Sequence, residues 1–331
     1  MKHLCSRIKI GSIYFNIVAE IEVVSSWDSL TDTAKITIPK KLLVDGKPLV
    51  EGVNSVFKIG DPVQIECGYD LQYDTIFQGY VSFIKPGVPV VIECEDAMWL
   101  FKRQTFQKAF ASVTVKQLID FMLPLIPAKF NVKYSFPNMQ LGKFRIQRGA
   151  TGADVFEELR KTYKIYSFFR EGTLFVGFAN THPEGGSDYR RNVDFYFNDT
   201  IISDDLTYRT KDNFFLKVLG TSIIPGKKGK EGRLKSAFGA TGGQEIKLQF
   251  YGLSQSALDK VVENEYKTFH VSGFKGDFET FGKPYVRQGD AAVLNDHLIP
   301  ERSGTYEVKK VTRRYGQQGY RQRVELGLRL A

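Results

Sequence analysis

Polar and apolar positions alternate most strictly near the C-terminal end, from Tyr320 to Leu330. Tyr320, Val324, Leu326, Leu328 and Leu330 fall on one face, and Arg321, Arg323, Glu325 and Arg329 on the other. A period of two over that length predicts a half-buried strand rather than a helix. Tyr306, Val308, Val311, Arg313 and Tyr315 predict its partner. The phase slips at Lys309-Lys310, as it does at a bulge that bends a strand. Gly316-Gln317-Gln318-Gly319 predicts the hairpin loop, with glycines where positive φ is needed. From Gly273 onward the chain therefore reads as an antiparallel meander with one polar face.

The first hundred residues also read as strands: 7–10, 17–24, 34–38, 63–67, 75–85 and 90–95 are β-branched or aromatic runs. Gly11, Asp45-Gly46, Gly60-Asp61-Pro62, Gly68 and Pro86-Gly87 punctuate them. Short strands between turn signals predict a barrel or sandwich. Phe77, Val81 and Phe83 take one face of the 75–85 run and Ile76, Tyr80 and Ile84 the other, so that strand is central or lies at a subunit contact. Residues 96–103 predict a short helix. Then the period changes. Val115, Leu118, Ile119 and Met122 mark a helix after Ser112 as its cap, and Thr151 caps a second helix that runs to Tyr163. Strands at 131–135 and 143–147 and a hairpin at 165–178 complete a small α/β unit. Strands resume at 192–198, 205–219 and 244–250. Ser254 then caps a helix to Phe269.

Length and charge narrow the class. A chain of 331 residues predicts two or three domains, and 42% apolar content predicts that they fold. The net charge of +9 points to an acidic partner (nucleic acid, membrane surface or protein), or to simple solubilisation. Cys5, Cys67 and Cys94 are odd in number and widely spaced, which excludes a disulfide framework and a zinc signature and fits a reducing compartment. No run reaches the about 18 apolar residues of a membrane span, and residues 1–7 lack the apolar core of a signal peptide. Synthesis and folding in a cytoplasm are expected.

One internal comparison links the two ends. Gly60-Asp61-Pro62-Val63, then Gly79-Tyr80-Val81, then Val91-Ile92-Glu93 matches Gly289-Asp290 with Val293-Leu294, then Gly304-Thr305-Tyr306, then Val324-Glu325-Leu326. Two related barrels flanking an α/β insert are expected from it. Four stretches then carry a family resemblance: Ile76–Val81 with Ile92–Asp96; the helix Thr114–Met122; Ser254–Leu258; and Gly289-Asp290 with Gly304–Val308 and Gly319–Gly327. Through them the chain resembles the baseplate hub proteins of contractile phage tails, the late control D family. It is also similar to the N-terminal part of type VI secretion spike proteins.

The resemblance implies a homotrimer in which two barrels per subunit make a pseudo-sixfold ring, joining a hexameric tail tube to a trimeric spike. It implies a first barrel at 1–104, an α/β insert at 105–200 with 223–272 packed on it, and a second barrel from 201–222 plus 273–331. The fold class expected is mainly β with α+β character. Partners implied are further copies of the chain, the tail tube protein, other baseplate proteins and a spike on a separate polypeptide, with DNA passing transiently through the lumen. The protein would be assembled in the bacterial cytoplasm and reside in the virion baseplate.

Catalysis finds little support in the residues. His3, His182, His270 and His297 are dispersed and match no metal spacing, and no serine elbow occurs. No cofactor is expected. Glu93 with Glu95, and Asp277 with Glu279, place carboxylates on one strand face, as exposed strands routinely do; a tail-tip cell-wall hydrolase would need such a pair across a cleft. Lys227, Lys228 and Lys230 lie in a glycine-rich loop without the Gly-Lys-Ser/Thr ending of a phosphate loop, and read as a solvated tip or as a lumen-facing patch. Arg321, Arg323 and Arg329, beside Lys309, Lys310, Arg313 and Arg314, form the more pointed basic face. It is expected at a subunit contact, where reversing Arg321 and Arg323 to glutamate would loosen the oligomer, or in the lumen. A basic nucleic-acid-binding barrel is the alternative, although aromatics do not interleave with these arginines as a stacking platform requires.

Overall fold

The computed structural model describes residues 3–39, 43–44, 47–48, 56–134, 139–163, 165–178, 190–210, 216–224, 229–240, 242, 244–269 and 272–330. The fold is mainly β, and its buried side chains gather in three clusters.

The first β unit comprises β1 (Leu4–Ile10), β2 (Ile13–Phe15), β3 (Glu20–Ser26), β4 (Thr33–Ile38), the short pair β5 (Leu43–Val44) and β6 (Lys47–Pro48), β7 (Pro62–Tyr69), β8 (Gln72–Lys85) and β9 (Val90–Glu95). Apart from the β5–β6 pair they form antiparallel neighbours in the order β3-β4-β9-β8-β7-β1-β2. Ile8, Ile21, Val23, Ile36, Ile65, Val81 and Ile92 point inward with no exposed surface, each set apart on its strand by the period of two. Ile76 and Ile84, which sequence assigns to one face of β8, and Phe77 and Val81, assigned to the other, all enter the same core, because the register shifts against β7 near Ile65/Glu66 and against β9 between Val81 and Phe83. Each bulge moves the following side chains to the opposite face. Phe83 thereby ends up 51% exposed.

The insert starts with α1 (Met98–Arg103) and continues with β10 (Lys108–Thr114), α2 (Val115–Met122), β11 (Asn131–Tyr134), β12 (Gln140–Ile146), α3 (Gly152–Tyr163), β13 (Ile165–Arg170) and β14 (Thr173–Phe178). The cap of α2 is Thr114 rather than Ser112. Gln117 N donates to Thr114 Oγ1 at 3.2 Å, and Gln117 Oε1 accepts from Thr114 N at 3.0 Å, a reciprocal capping box. Thr151 caps α3 as expected: Asp154 N donates to its Oγ1 at 3.2 Å.

Next come β15 (Asn192–Tyr196), β16 (Ile201–Arg209), β17 (Leu216–Ile223), β18 (Arg233–Gly239), β19 (Gln244–Tyr251) and α4 (Gln255–Phe269). The run expected as one strand over 205–219 is thus two strands with different destinations. β16 pairs β20 of the second unit, whereas β17 pairs β18 and β19 and, with α4, joins the core of the insert. Gly220 makes that packing possible: a Cβ there would stand 2.2 Å from Val262 of α4. β15, placed by sequence within 105–200, instead pairs β21.

The second unit is completed by β20 (Gly273–Phe281), β21 (Ala291–Asn295), β22 (Gly304–Gly316) and β23 (Gly319–Arg329). Its order is β16-β20-β23-β22-β21-β15, antiparallel except for the parallel β15–β21 pair. The hairpin Gly316–Gly319 and the bulge beside Lys309 occur where the alternation places them.

The internal repeat exists in the fold, but in a register that corrects the sequence match beyond the Gly-Asp turn: Gly79-Tyr80-Val81 answers to Tyr306-Glu307-Val308 rather than to Gly304-Thr305-Tyr306, and Glu93 answers to Glu325 rather than to Leu326. β7-β8-β9 and β21-β22-β23 are the same meander. Gly60 N donates to Val81 O at 2.8 Å and Val81 N to Asp61 O at 2.9 Å; Gly289 N donates to Val308 O at 2.7 Å and Val308 N to Asp290 O at 2.8 Å. Asp61 Oδ2 accepts from Lys58 N at 2.8 Å, and Asp290 Oδ2 from Arg287 N at 2.9 Å, the local bond that makes Asp a turn former. Both glycines hold positive φ, 95° and 81°. One residue beyond each valine the register slips, between Val81 and Phe83 and between Val308 and Lys310.

β22 also joins the two units. Its first residues pair β21, and beyond the bulge Lys310–Gly316 pair Ser26–Glu20 of β3. Trp27 N donates to Lys309 O at 3.3 Å, continuing the seam. The two β units therefore share one 13-stranded sheet.

Candidate assembly face

The pairings align one row of side chains across seven strands: Phe281, Arg321, Arg314, Glu22, Lys35, Glu93 and Phe83. The adjacent row on the same face carries Glu279, Arg323, Thr312, Val24, Thr33 and Glu95. The expected basic face is thus a mixed-charge surface running over both units. Its arginines meet acids of their own chain. Arg323 Nε lies 2.7 Å from Asp277 Oδ1, Arg314 Nε 2.8 Å from Glu22 Oε2, and Arg321 Nε 3.9 Å from Glu279 Oε1. Lys309 Nζ sits between Glu325, at 2.8 Å, and Asp28, at 3.2 Å. Arg329 Nη1 donates to Ser272 O at 2.8 Å, at the far end of β23. Lys310 opens the seam opposite Ser26.

Arg313 departs from this face. It points inward, 1% exposed, with its guanidinium 4.9 Å from the centre of the Tyr285 ring, because the bulge before it resets the alternation. Lys227 and Lys228 lie outside the described residues; the backbone of Lys230 follows a short 3-10 turn at Gly229–Gly232.

Of the carboxylates paired by sequence, Asp277, Glu279 and Glu95 are engaged as well. Asp277 and Glu279 face Arg323 and Arg321, and Glu95 pairs with Lys102. His297 stacks on Tyr196, and His3 N donates to Asp70; His182 and His270 lie outside the described residues. Among the described residues no three His, Cys, Asp or Glu side chains cluster as metal ligands, and no helix is long and apolar enough to cross a membrane.

A buried polar joint, which the sequence did not reveal, lies where the three cores meet. The Asp290 carboxylate is fully buried. It accepts from Arg170 Nη2 at 2.7 Å and Arg191 Nη2 at 3.0 Å, with Arg287 close by. Burial pushes its pKa up, but the three guanidinium groups outweigh that and hold it below the usual carboxylate range. Asp32 and Asp96 form a second buried pair: Asp96 accepts from Asp32 N and Met98 N, both at 2.9 Å, and Asp32 accepts from Gln288 Nε2 at 3.0 Å. Burial raises Asp32 to about 7 and Asp96 well above the normal value. Burial also raises Glu307 to about 7, against the pull of Arg190. A cleft of about 600 Å³ opens beside this joint, lined by Asp32, Lys9, Gln64, Arg170, Arg287 and Arg313. The raised carboxyls of Asp32 and Asp96 are spent on holding backbone amides, so their geometry is that of a joint rather than of an acid–base pair.

No protein-family model and no curated protein matches the chain. Solved structures do match along nearly all of it. A tail protein of Neisseria meningitidis MC58 superposes with a TM-score of 0.63 at 15% identity, covering 98% of this chain and 96% of the other. The 43 kDa tail protein of prophage MuSo2 from Shewanella oneidensis gives 0.63 at 13%, covering 97% of both. An Escherichia coli component of the type VI secretion system, whose own structure resembles bacteriophage T4 tail proteins, gives 0.60 at 11% over 98% of this chain and 79% of that one. From its first strand to its closing hairpin, the chain has the fold of these phage-tail and secretion-system proteins.

Proposed function

We infer that this chain is a structural hub of a phage tail baseplate or a related injection machine. In this reading three copies close into a ring whose six β units imitate sixfold symmetry. One side of the ring meets a hexameric tail tube and the other a trimeric spike, with other baseplate proteins around it. The observation that carries the reading is the duplicated meander, repeated down to its Gly-Asp turn and its bulge, with both copies in one sheet. A protein with two like units per chain offers six near-equivalent docking sites with only three subunits, through closed cyclic contacts. The likeness of fold to tail proteins along the chain supports the same reading.

The mixed-charge face lines the pore in this account, with Arg321, Arg323 and Lys309 already neutralised by acids of the same chain. DNA in transit would then meet little net pull, which favours a conduit over a nucleic-acid-binding protein. Mass measurement by light scattering, alone and with tube protein, tests the proposal. A mass three times that of the chain is expected. A monomer under both conditions at micromolar concentration contradicts it.

A further inference from the structure

The duplication also says which edges of neighbouring copies meet. Within the chain, the seam between units is β22 of the second unit against β3 of the first. The repeat relates β22 to β8, with Val308 matching Val81 and Lys310 matching Phe83. It relates β3 to β16, since Glu22 lies two strands from Glu93 through Lys35, and Asp205 lies two strands from Glu325 through Asp277. The counterparts of the two seam strands are thus β8 and β16, which lie far apart in the sheet of one chain.

Both counterparts have an open edge. β7 pairs β8 only as far as Tyr80, so among the described residues no strand pairs Phe83–Lys85 on that side. β16 ends the sheet and, among the described residues, pairs only β20. Their side chains show the missing neighbour. Ile21 and Val23 of β3 are fully buried beside β22, whereas in β16 Leu206 is only half-buried and Tyr208 is 44% exposed. Phe83 is 51% exposed at the other edge. Open strand edges bearing apolar side chains are templates for pairing with another chain.

We propose that β8 of one copy pairs antiparallel with β16 of the next, repeating between chains the seam that β22 and β3 make within one. This rests on the three-copy reading and names its contact. The register follows from the internal seam. Lys310 opposite Ser26, Val311 opposite Ser25 and Thr312 opposite Val24 become Phe83 opposite Arg209, Ile84 opposite Tyr208 and Lys85 opposite Thr207. Pro86 lacks an N–H and ends the pairing there, so the seam between chains is shorter than the one within. The occupant is a second copy because this chain itself carries the complementary edge in the matching register. The contact is heterologous, head to tail, and it closes when the turn per copy allows three.

Lys85 and Thr207 are both exposed in a single copy, so cysteines can be placed there without touching a core. In a Cys5→Ser background, Lys85→Cys with Thr207→Cys should oxidise to covalent dimers and trimers on a denaturing gel. Lys85→Cys with Asp205→Cys, two residues out of register, should give at least tenfold less. If the variant has the trimer mass but does not crosslink, or crosslinks equally in both registers, the proposed seam is wrong while the three-copy reading stands. A protein that remains monomeric with tube protein overturns both.

Discussion

Glu307 sets the sign of the pH response at the scale of single residues. Its carboxyl is buried with Arg190 Nη2 at 3.2 Å from one oxygen, and Oε2 has no partner among the described residues. Desolvation therefore outweighs the attraction of Arg190 and raises it to about 7. Asp32 shifts the same way. A carboxyl whose folded pKa lies above its unfolded value makes the folded state bind protons more tightly. Stability from these groups is complete below the unfolded value, about 4, and is lost as pH rises to about 7. The thermal midpoint should thus fall by several degrees between pH 5 and 8. Glu307→Gln should flatten part of that slope and melt higher than the parent at pH 8. An unchanged slope in the variant contradicts the assignment. None of this was legible in the sequence. Glu307 reads there as one polar residue of a strand, and only the fold brings Arg190 to it across more than a hundred positions. Charge alone groups Arg313 with the basic face, although the alternation after the bulge already sets it with Val311, facing inward.

Among elements, β8 is tightly constrained. It runs between β7 and β9 with two bulges, and Gly79 lies where the backbone of Glu95 passes closest: a Cβ there would meet Glu95 O at 2.1 Å. No rotamer relieves a clash with backbone. Gly79→Ala should therefore destabilise the first unit by about 2 kcal/mol or more, seen as an earlier denaturant midpoint, whereas Gly87→Ala in the open turn should leave it unchanged. Equal midpoints would contradict this packing. Elements with clean alternation were read well from sequence: β22, the hairpin, β23 and the bulge at Lys309 all occur as the pattern implies. The strand β18 was not, because Arg233-Leu234-Lys235-Ser236 follows a lysine-glycine loop and reads as its continuation. It is a strand through its partner β17. Likewise, nothing local to 205–219 shows that one end pairs β20 and the other β19.

For the molecule as a whole, the repeat matters more than either unit. Faint as sequence, Gly60-Asp61 and Gly289-Asp290 prove to be the same turn in two settings. Asp61 is half-buried at the rim of the first unit, whereas Asp290 is sealed beneath the insert by Arg170 and Arg191. The same backbone thus serves once as a free turn and once as the joint that fixes the insert to the sheet. The insert also makes the two units unequal on one side, and in the proposed ring this inequality would keep threefold character among six similar units. Electron microscopy of the purified protein, alone or with tube protein, tests this most directly. Averages should show a ring of three copies with six similar lobes around a pore; particles of one copy, or a closed ring in which the two units of each chain lie at different radii, would contradict the account.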